Sequence, residues 1–342
     1  MSSFAPHLTT DLLAEALAAI HNIRDKEDRA SILGSLAPHL PADLLAKALS
    51  ATRNIGDEED QVFMLGVLAP YLPANLLTEE LSSARKIRRT NHQASILGSL
   101  APHLSTDLLT EALTVIQEMG DEEDRTSALG SLAPYLPANL LTEALSATRE
   151  IRTMKHRAAV LSSFAPHLSA NLLTKALSLA RELGNTTYYA VVLSSFAPYL
   201  STDLLAEALA ATQKIENEQD QASVLGRLAP YLPTDLLAEA LSLARKLRNT
   251  AHCASAFGSL APHLPANLLA KALAATRNIE DEEDKAFVLG ELAPHLPANL
   301  LAKALITTKE IEQKEVRALV LGKLAPHLPA DLLAKELATT KD

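Results

Sequence analysis

Tryptophan is absent, cysteine occurs once, and aromatic residues make up 4% of the 342 positions. The lone thiol, Cys253, excludes an internal disulfide and fits a reducing, cytoplasmic setting. No segment approaches the run of about 18 apolar residues that a membrane-spanning helix needs. The opening Met1-Ser2-Ser3-Phe4-Ala5-Pro6 has neither a basic stretch nor a long apolar run, so no secretory signal is expected. Catalytic signatures are missing too: the chain has no HExxH, CxxC, GxSxG or glycine-rich phosphate loop. Excess positive charge is lacking, since the net charge is -10, which disfavours a general binder of nucleic acid or anionic membrane. These absences point away from an enzyme and call for no cofactor and no metal.

What the chain has instead is one phrase, Leu36-Ala37-Pro38-His39-Leu40-Pro41-Ala42-Asp43-Leu44-Leu45, repeated throughout. Its proline falls at Pro6, Pro38, Pro70, Pro102, Pro134, Pro166, Pro198, Pro230, Pro262, Pro294 and Pro326, an interval of 32 residues with no insertion. A fixed period of this size marks a solenoid. One such unit is too small to bury its own core, so neighbours must stack into a quasi-one-dimensional body. With 48% hydrophobic residues and few aromatics, the core must be aliphatic.

Each unit reads as two helices. Asp43, in a column that is always Asp or Asn, suits the cap of the first helix, A; in another register Pro41 is its first residue. Leu44, Leu45, Ala48, Leu49, Thr52 and Ile55 fall on one stripe at spacings of three and four, and Leu44, Leu45 and Leu49 are Leu in every copy. Gly56 is expected to end helix A in a left-handed turn. The acidic run Asp57-Glu58-Glu59-Asp60 suits the start of the second helix, B, expected over 58–71, with Pro70 disrupting its last turn. A small-residue stripe such as Ala30-Gly34-Ala37 implies close approach of a neighbouring helix, which offsets the roughly 1 kcal/mol cost of a mid-helix glycine.

The fold expected is therefore all-α: a right-handed α-solenoid of antiparallel helix pairs forming one continuous repeat domain over 1–342. It comprises a truncated helix B over 1–8, ten A/B repeats over about 9–328 and a final helix A over 331–341. Neither end carries a polar capping repeat, so the chain is read either as a fragment or as an array whose ends another copy covers.

Two helices in about 32 residues resemble the tetratricopeptide and HEAT classes of solenoid, although the tetratricopeptide Trp and Tyr signature is missing. The tandem Leu-Ala-Pro-His-Leu-Pro units, with Leu-Leu and Ala-Leu following, also resemble arrays of bacterial, notably cyanobacterial, proteins that sit beside signalling or nucleotide-binding domains. That resemblance spans the chain and implies a scaffold or sensor without catalytic residues.

Several columns are candidates for function. The residue after the repeat proline is always His or Tyr, from His7, His39 and Tyr71 to His327. Adjacent helices pack at about 8–10 Å, whereas zinc–nitrogen bonds are about 2 Å, so these rings read as half-buried turn residues rather than ligands. A column near the end of helix A is basic in eight of eleven copies: Arg53, Arg85, Arg149, Arg181, Arg245, Arg277, Lys309 and Lys341. It could follow a phosphate backbone; the plainer reading is cations at helix C-termini, pairing with the acidic loops.

The A–B loops vary most. Acidic versions read as solvated caps, while the basic ones, carrying Arg88, Arg89 and His92, then Arg152, Lys155 and His156, then Arg248 and His252, could meet an anionic partner. On helix B the outward columns are mostly Ser, interrupted by Phe63 and Phe287 in one, and by Arg227, Glu291 and Lys323 in the next. Small side chains suit a concave face, which makes the two phenylalanines candidate anchors for a partner.

The function expected is a non-catalytic protein-interaction or ligand-sensing scaffold that contacts a protein or peptide along a concave face. The alternatives are a self-assembling array joined through its terminal repeats and, more remotely, nucleic-acid binding along the arginine column.

Overall fold

The structure is a computed structural model describing residues 8–20, 23, 25–184, 186–330 and 332. Most of the expected terminal helices, with His7, His21 and Lys341, lies outside these residues. The first five repeats give α1 (Thr10–Ile20), α2 (Lys26–Leu36), α3 (Ala42–Arg53), α4 (Glu58–Leu68), α5 (Ala74–Ala84), α6 (Thr90–Leu100), α7 (Thr106–Gln117), α8 (Glu122–Leu132), α9 (Ala138–Ala147) and α10 (Met154–Phe164). The next five give α11 (Ala170–Arg181), α12 (Thr187–Phe196), α13 (Thr202–Thr212), α14 (Glu218–Leu228), α15 (Thr234–Ala244), α16 (Thr250–Leu260), α17 (Ala266–Thr276), α18 (Glu282–Leu292), α19 (Ala298–Lys309) and α20 (Lys314–Leu324). Odd helices are A and even helices are B. No strand occurs among the described residues, and the chain is an all-α helical-repeat solenoid. No helix among them is long and apolar enough to cross a membrane.

Contacts divide the chain into two compact units, residues 1–169 and 170–342. Within each, a helix A packs on its own helix B, and successive B helices pack on one another more extensively than successive A helices do.

The start of helix A differs from the capping role expected for Asp43. Pro41 is the cap, with extended backbone (φ -67°, ψ 162°), and its carbonyl accepts from Leu45 N at 2.9 Å. Proline has no N–H to lose there, and its fixed φ fits the position. Asp43 is an exposed residue of the first turn, where a carboxylate favours the positive end of the helix dipole. Where serine replaces the proline, its hydroxyl takes over: Ser105 Oγ accepts from Leu108 N at 3.4 Å, and Ser201 Oγ from Leu204 N at 3.5 Å.

The end of helix A also differs. Gly56 and Gly120 do not adopt the left-handed conformation; among the described residues only Gly184 has positive φ, at 72°. The last turn instead tightens, with Asn54 N donating to Ala51 O at 3.2 Å and Ile55 N to Thr52 O at 3.1 Å, which satisfies carbonyls without a left-handed residue. Helix B ends earlier than residue 71. The α-helix α4 stops at Leu68, and Ala69–Tyr71 form a 3-10 turn closed by Leu72 N to Ala69 O at 3.2 Å. Pro70 cannot donate within an α-helix, so the chain turns toward the next helix A.

Between the two rows lies the aliphatic core. Leu40, Leu44, Leu45 and Leu49 are all buried, and Pro38 sits exposed in the turn that delivers Leu40. Truncating a leucine such as Leu49 to alanine costs about 2–5 kcal/mol by cavity formation. The mid-helix glycines face the next helix B: a Cβ at Gly34 would lie 3.3 Å from Val67 Cγ1, and one at Gly226 would lie 2.7 Å from Ser259 Cβ. Gly66 is different, since a Cβ there would meet nothing within 4 Å.

Candidate functional site

The outward face of the helix B row carries the most distinctive surface. Its floor is serine, and these hydroxyls are turned inward on their own helices: Ser35 Oγ donates to Ser31 O at 2.9 Å, Ser99 Oγ to Ser95 O at 3.1 Å and Ser131 Oγ to Ser127 O at 3.0 Å. Large apolar side chains rise from this inert floor. Phe63 is 49% exposed and Phe287 is 44% exposed. Val191 and Leu319 stand exposed in the same column. Both interrupt the same serine column in the sequence, as the two phenylalanines do.

The two phenylalanines sit in different surroundings. Lys323 Nζ lies 5.5 Å above the Phe287 ring and 3.6 Å from Glu291 Oε1, and its stem fills the space over Gly290. A cation over a ring face is attracted by the ring quadrupole, so Phe287, Glu291 and Lys323 form one self-contained cluster. No such partner lies over Phe63, beside which the open ground of Gly66 forms a groove with Val67, Ser95 and Ser99. Arg227 is exposed beside a smaller hollow that Val191 and Ser195 line.

The basic A–B loops are substantially engaged by the chain itself. A glutamate at the first residue of helix B in one repeat reaches the loop of the next. Glu122 accepts from Arg152 N at 2.9 Å, Thr153 N at 3.2 Å and Thr153 Oγ1 at 2.6 Å. Glu218 accepts from Asn249 N at 2.8 Å and Arg248 N at 3.1 Å, and Glu282 from Glu312 N at 2.7 Å and Gln313 N at 3.0 Å. In the fourth case Glu58 takes the side chain of Arg89 at 2.7 Å. The Thr153 hydroxyl and the loop N–H groups hold the Glu122 carboxyl down to about 2, and backbone N–H groups lower those of Glu218 and Glu282.

Histidines of these loops face inward. His92 is 7% exposed with Nε2 2.9 Å from Gln61 Oε1, and His156 Nδ1 lies 3.7 Å from Glu122. His252 is half-buried, its N–H donating to the Asn249 cap at 3.1 Å. Arg88, Arg152, Lys155 and Arg248 keep exposed side chains at the edge. The acidic loops cap as expected: Asp57 Oδ1 accepts from Asp60 N at 2.9 Å, and Asp121 Oδ1 from Glu123 N at 2.9 Å.

Four arginines of the column pair with glutamates in or just after the next helix A rather than with the acidic runs that open helix B. Arg53 Nη1 donates to Glu79 at 2.8 Å and Nε to Glu80 at 2.7 Å. Glu80 is 3% exposed, and burial pushes its carboxyl up. Arg85 pairs with Glu118, Arg181 with Glu207, and Arg277 with Glu310.

A further column, early in helix B, closes the end of helix A. Gln93 Nε2 donates to Ala84 O at 3.0 Å, Gln221 Nε2 to Ile215 O at 2.7 Å and Arg157 Nη2 to Ile151 O at 2.9 Å. Cys253 occupies this column but cannot donate in the same way. It is buried, and burial raises its thiol to about 11, far from the range of a reactive thiolate.

The repeat rings lie in the 3-10 turns as a partly exposed ridge, with Tyr71 at 39% exposure and His103 half-buried. No group of three or more His, Cys, Asp or Glu residues able to hold a metal occurs among the described residues.

No protein-family model matches this sequence, and no curated protein matches it. Solved structures do. Over 96% of its length the chain superposes on Kap121p bound to Nup53p, with a TM-score of 0.66 and 14% identity. Over the same share it superposes on the karyopherin Kap121p bound to the SUMO protease Ulp1p, with a TM-score of 0.66 and 15% identity. Kap121p bound to RanGTP gives a TM-score of 0.61 at 15% identity. The chain spans 43% of the length of the first two and 42% of the third. At such identity the likeness is one of fold, an all-α solenoid.

Proposed function

We propose that this chain is a non-catalytic scaffold that binds a protein or peptide partner on the outward face of its helix B row. The observation that carries this reading is the exposed apolar side chains, Phe63 in the first unit and Val191, Phe287 and Leu319 in the second, each standing among serines whose hydroxyls are already bonded. Isolated large apolar anchors on a small-residue surface are an arrangement in which a few side chains carry most of the binding energy. The fold supports it: the similar karyopherin Kap121p is seen with Nup53p, with Ulp1p and with RanGTP. Pairing of Arg53, Arg85, Arg181 and Arg277 with glutamates removes the main support for a phosphate-reading stripe.

The test is affinity capture with nuclease treatment, using the native chain and the double variant Phe63→Ser, Phe287→Ser. Serine is the commonest residue of that column, so the variant keeps the fold. A protein retained by the native chain and lost by the variant, at unchanged melting temperature, supports the reading. Equal retention by both, or return of the bait alone, overturns it.

A further inference from the structure

The equivalence of Phe63 and Phe287 in the sequence breaks down in three dimensions. At Phe287 the neighbouring repeat supplies Lys323, whose ammonium lies 5.5 Å from the ring centre and whose stem fills the ground over Gly290, while the ring stays 44% exposed. At Phe63 the neighbouring repeat supplies Asn91, His92, Ser95 and Ser99. None of them comes within 4 Å of a Cβ added at Gly66. The result is an open groove of about 710 Å³ between α4 and α6, walled by Phe63 and Val67 and floored by Gly66.

The charged groups that line this groove are carboxylates, and the exposed Arg89 reaches one of them from the loop before α6. No lysine or arginine lines it. Of its two glutamates, Glu58 is committed to Arg89 at 2.7 Å, while Glu59 is exposed and in no ion pair. Glu27 and Glu123 occupy the same column in α2 and α8 and are likewise exposed and free of ion pairs, while α6 carries the neutral Asn91 there. His92 at the groove wall is 7% exposed, with its Nε2 2.9 Å from Gln61 Oε1.

We propose that this groove receives a large apolar side chain of a basic polypeptide segment, with flanking Lys or Arg residues drawn to Glu59 and its column neighbours. The proposal rests on the scaffold reading above and specifies the chemistry of its partner. Two requirements are separable. The apolar side chain needs the vacancy over Gly66 and the wall of Phe63, and the cations need the unpaired carboxylate of Glu59. An acidic or neutral segment satisfies only the first, and a nucleic acid meets repulsion from the second.

Gly66 suits the test because a Cβ added there meets no neighbouring atom within 4 Å, so a longer side chain starts into the groove without an initial clash. A random twelve-residue peptide library is selected on the immobilised native chain. Enriched peptides are then synthesised with a fluorescein label and titrated by anisotropy against the native chain, Gly66→Met, Glu59→Lys, Phe63→Ser and Phe287→Ser. The expected result is enrichment of Lys or Arg around a leucine, methionine or aromatic residue. Gly66→Met and Glu59→Lys are each expected to weaken binding about ten-fold or more, the size of a loss of ~1.4 kcal/mol, while Phe287→Ser leaves it unchanged. Raising the salt concentration should weaken binding to the native chain and leave Glu59→Lys less affected. Gly66→Ala serves as the fold control, with helical circular dichroism and melting temperature no lower than native.

Acidic or neutral peptides that bind and are lost in Phe63→Ser overturn the basic partner while leaving the scaffold reading in place. Peptides insensitive to Gly66→Met overturn the groove. Absence of any enriched peptide overturns the proposal, and the capture experiment with the native chain then decides the scaffold reading separately.

Discussion

The carboxylate of Glu122 accepts the Thr153 hydroxyl at 2.6 Å from the loop of the next repeat, together with two of that loop's backbone N–H groups. These bonds favour the ionised form, so the carboxyl titrates at about 2 against an ordinary 4.5. The folded pKa is depressed, so the contribution to stability is complete above about 4.5 and is lost as pH falls toward about 2. Glu122→Gln should lower the urea midpoint at neutral pH, and the gap from the native chain should close across that acid window. A gap constant with pH would refute the assignment.

Glycine substitutions in equivalent columns should have opposite signs. Gly226→Ala places a Cβ 2.7 Å from that of Ser259, an overpacking that costs about 1–3 kcal/mol. Gly66→Ala meets nothing within 4 Å and should gain about 1 kcal/mol from helix propensity alone. Chemical denaturation of the two variants beside the native chain measures both.

The Arg53–Glu80 pair is covered on its acidic side, with Glu80 at 3% exposure. Stranding one member of a buried pair costs about 3–5 kcal/mol, and the partial exposure of Arg53 places Arg53→Met at the lower end of that range. The double variant Arg53→Met, Glu80→Leu should recover most of the loss. A double variant as unstable as the single one would show that the pair is not what the arginine contributes.

At Cys253 the column that closes helix A lacks its donor. Cys253→Gln restores the amide that Gln93 and Gln221 use, and should stabilise by about 0.5–1.5 kcal/mol. The native thiol, held at about 11 by burial, should react with a disulfide reagent only on unfolding, so labelling kinetics report opening of this repeat.

The columns made the fold legible because each does one job in every copy. Leu44, Leu45 and Leu49 marked the buried stripe, and Pro70 marked the turn. The errors were local. Asp43 looked like a cap because Asp and Asn cap helices, but the residue two places earlier already occupied that position. Gly56 suggested a left-handed turn, yet a tightened last turn satisfied the carbonyls first. The site was less legible, because it depends on what one repeat presents to the next. Phe63 and Phe287 are alike in their own helices and become unlike through Ser99 and Lys323, about one repeat onward in the chain. In the basic loops the sequence could not show that glutamates of the preceding repeat take the backbone N–H groups, while Arg88, Arg152, Lys155 and Arg248 keep exposed side chains.

The glutamate links have a consequence for how such an array can change length. Glu58, Glu122, Glu218 and Glu282 each belong to a repeat with an acidic loop, and each is satisfied by a following repeat whose loop supplies the donors. These links join four couples of adjacent repeats, each 64 residues by the period of the sequence. Duplication or loss of a whole couple leaves every carboxylate with its donors. Loss of the repeat that carries Arg89 alone would bring the acidic loop at 57–60 against the one at 121–124 and leave Glu58 without its cation. Loss of the repeat that carries Arg248 would likewise set Glu218 against the acidic run at 281–284.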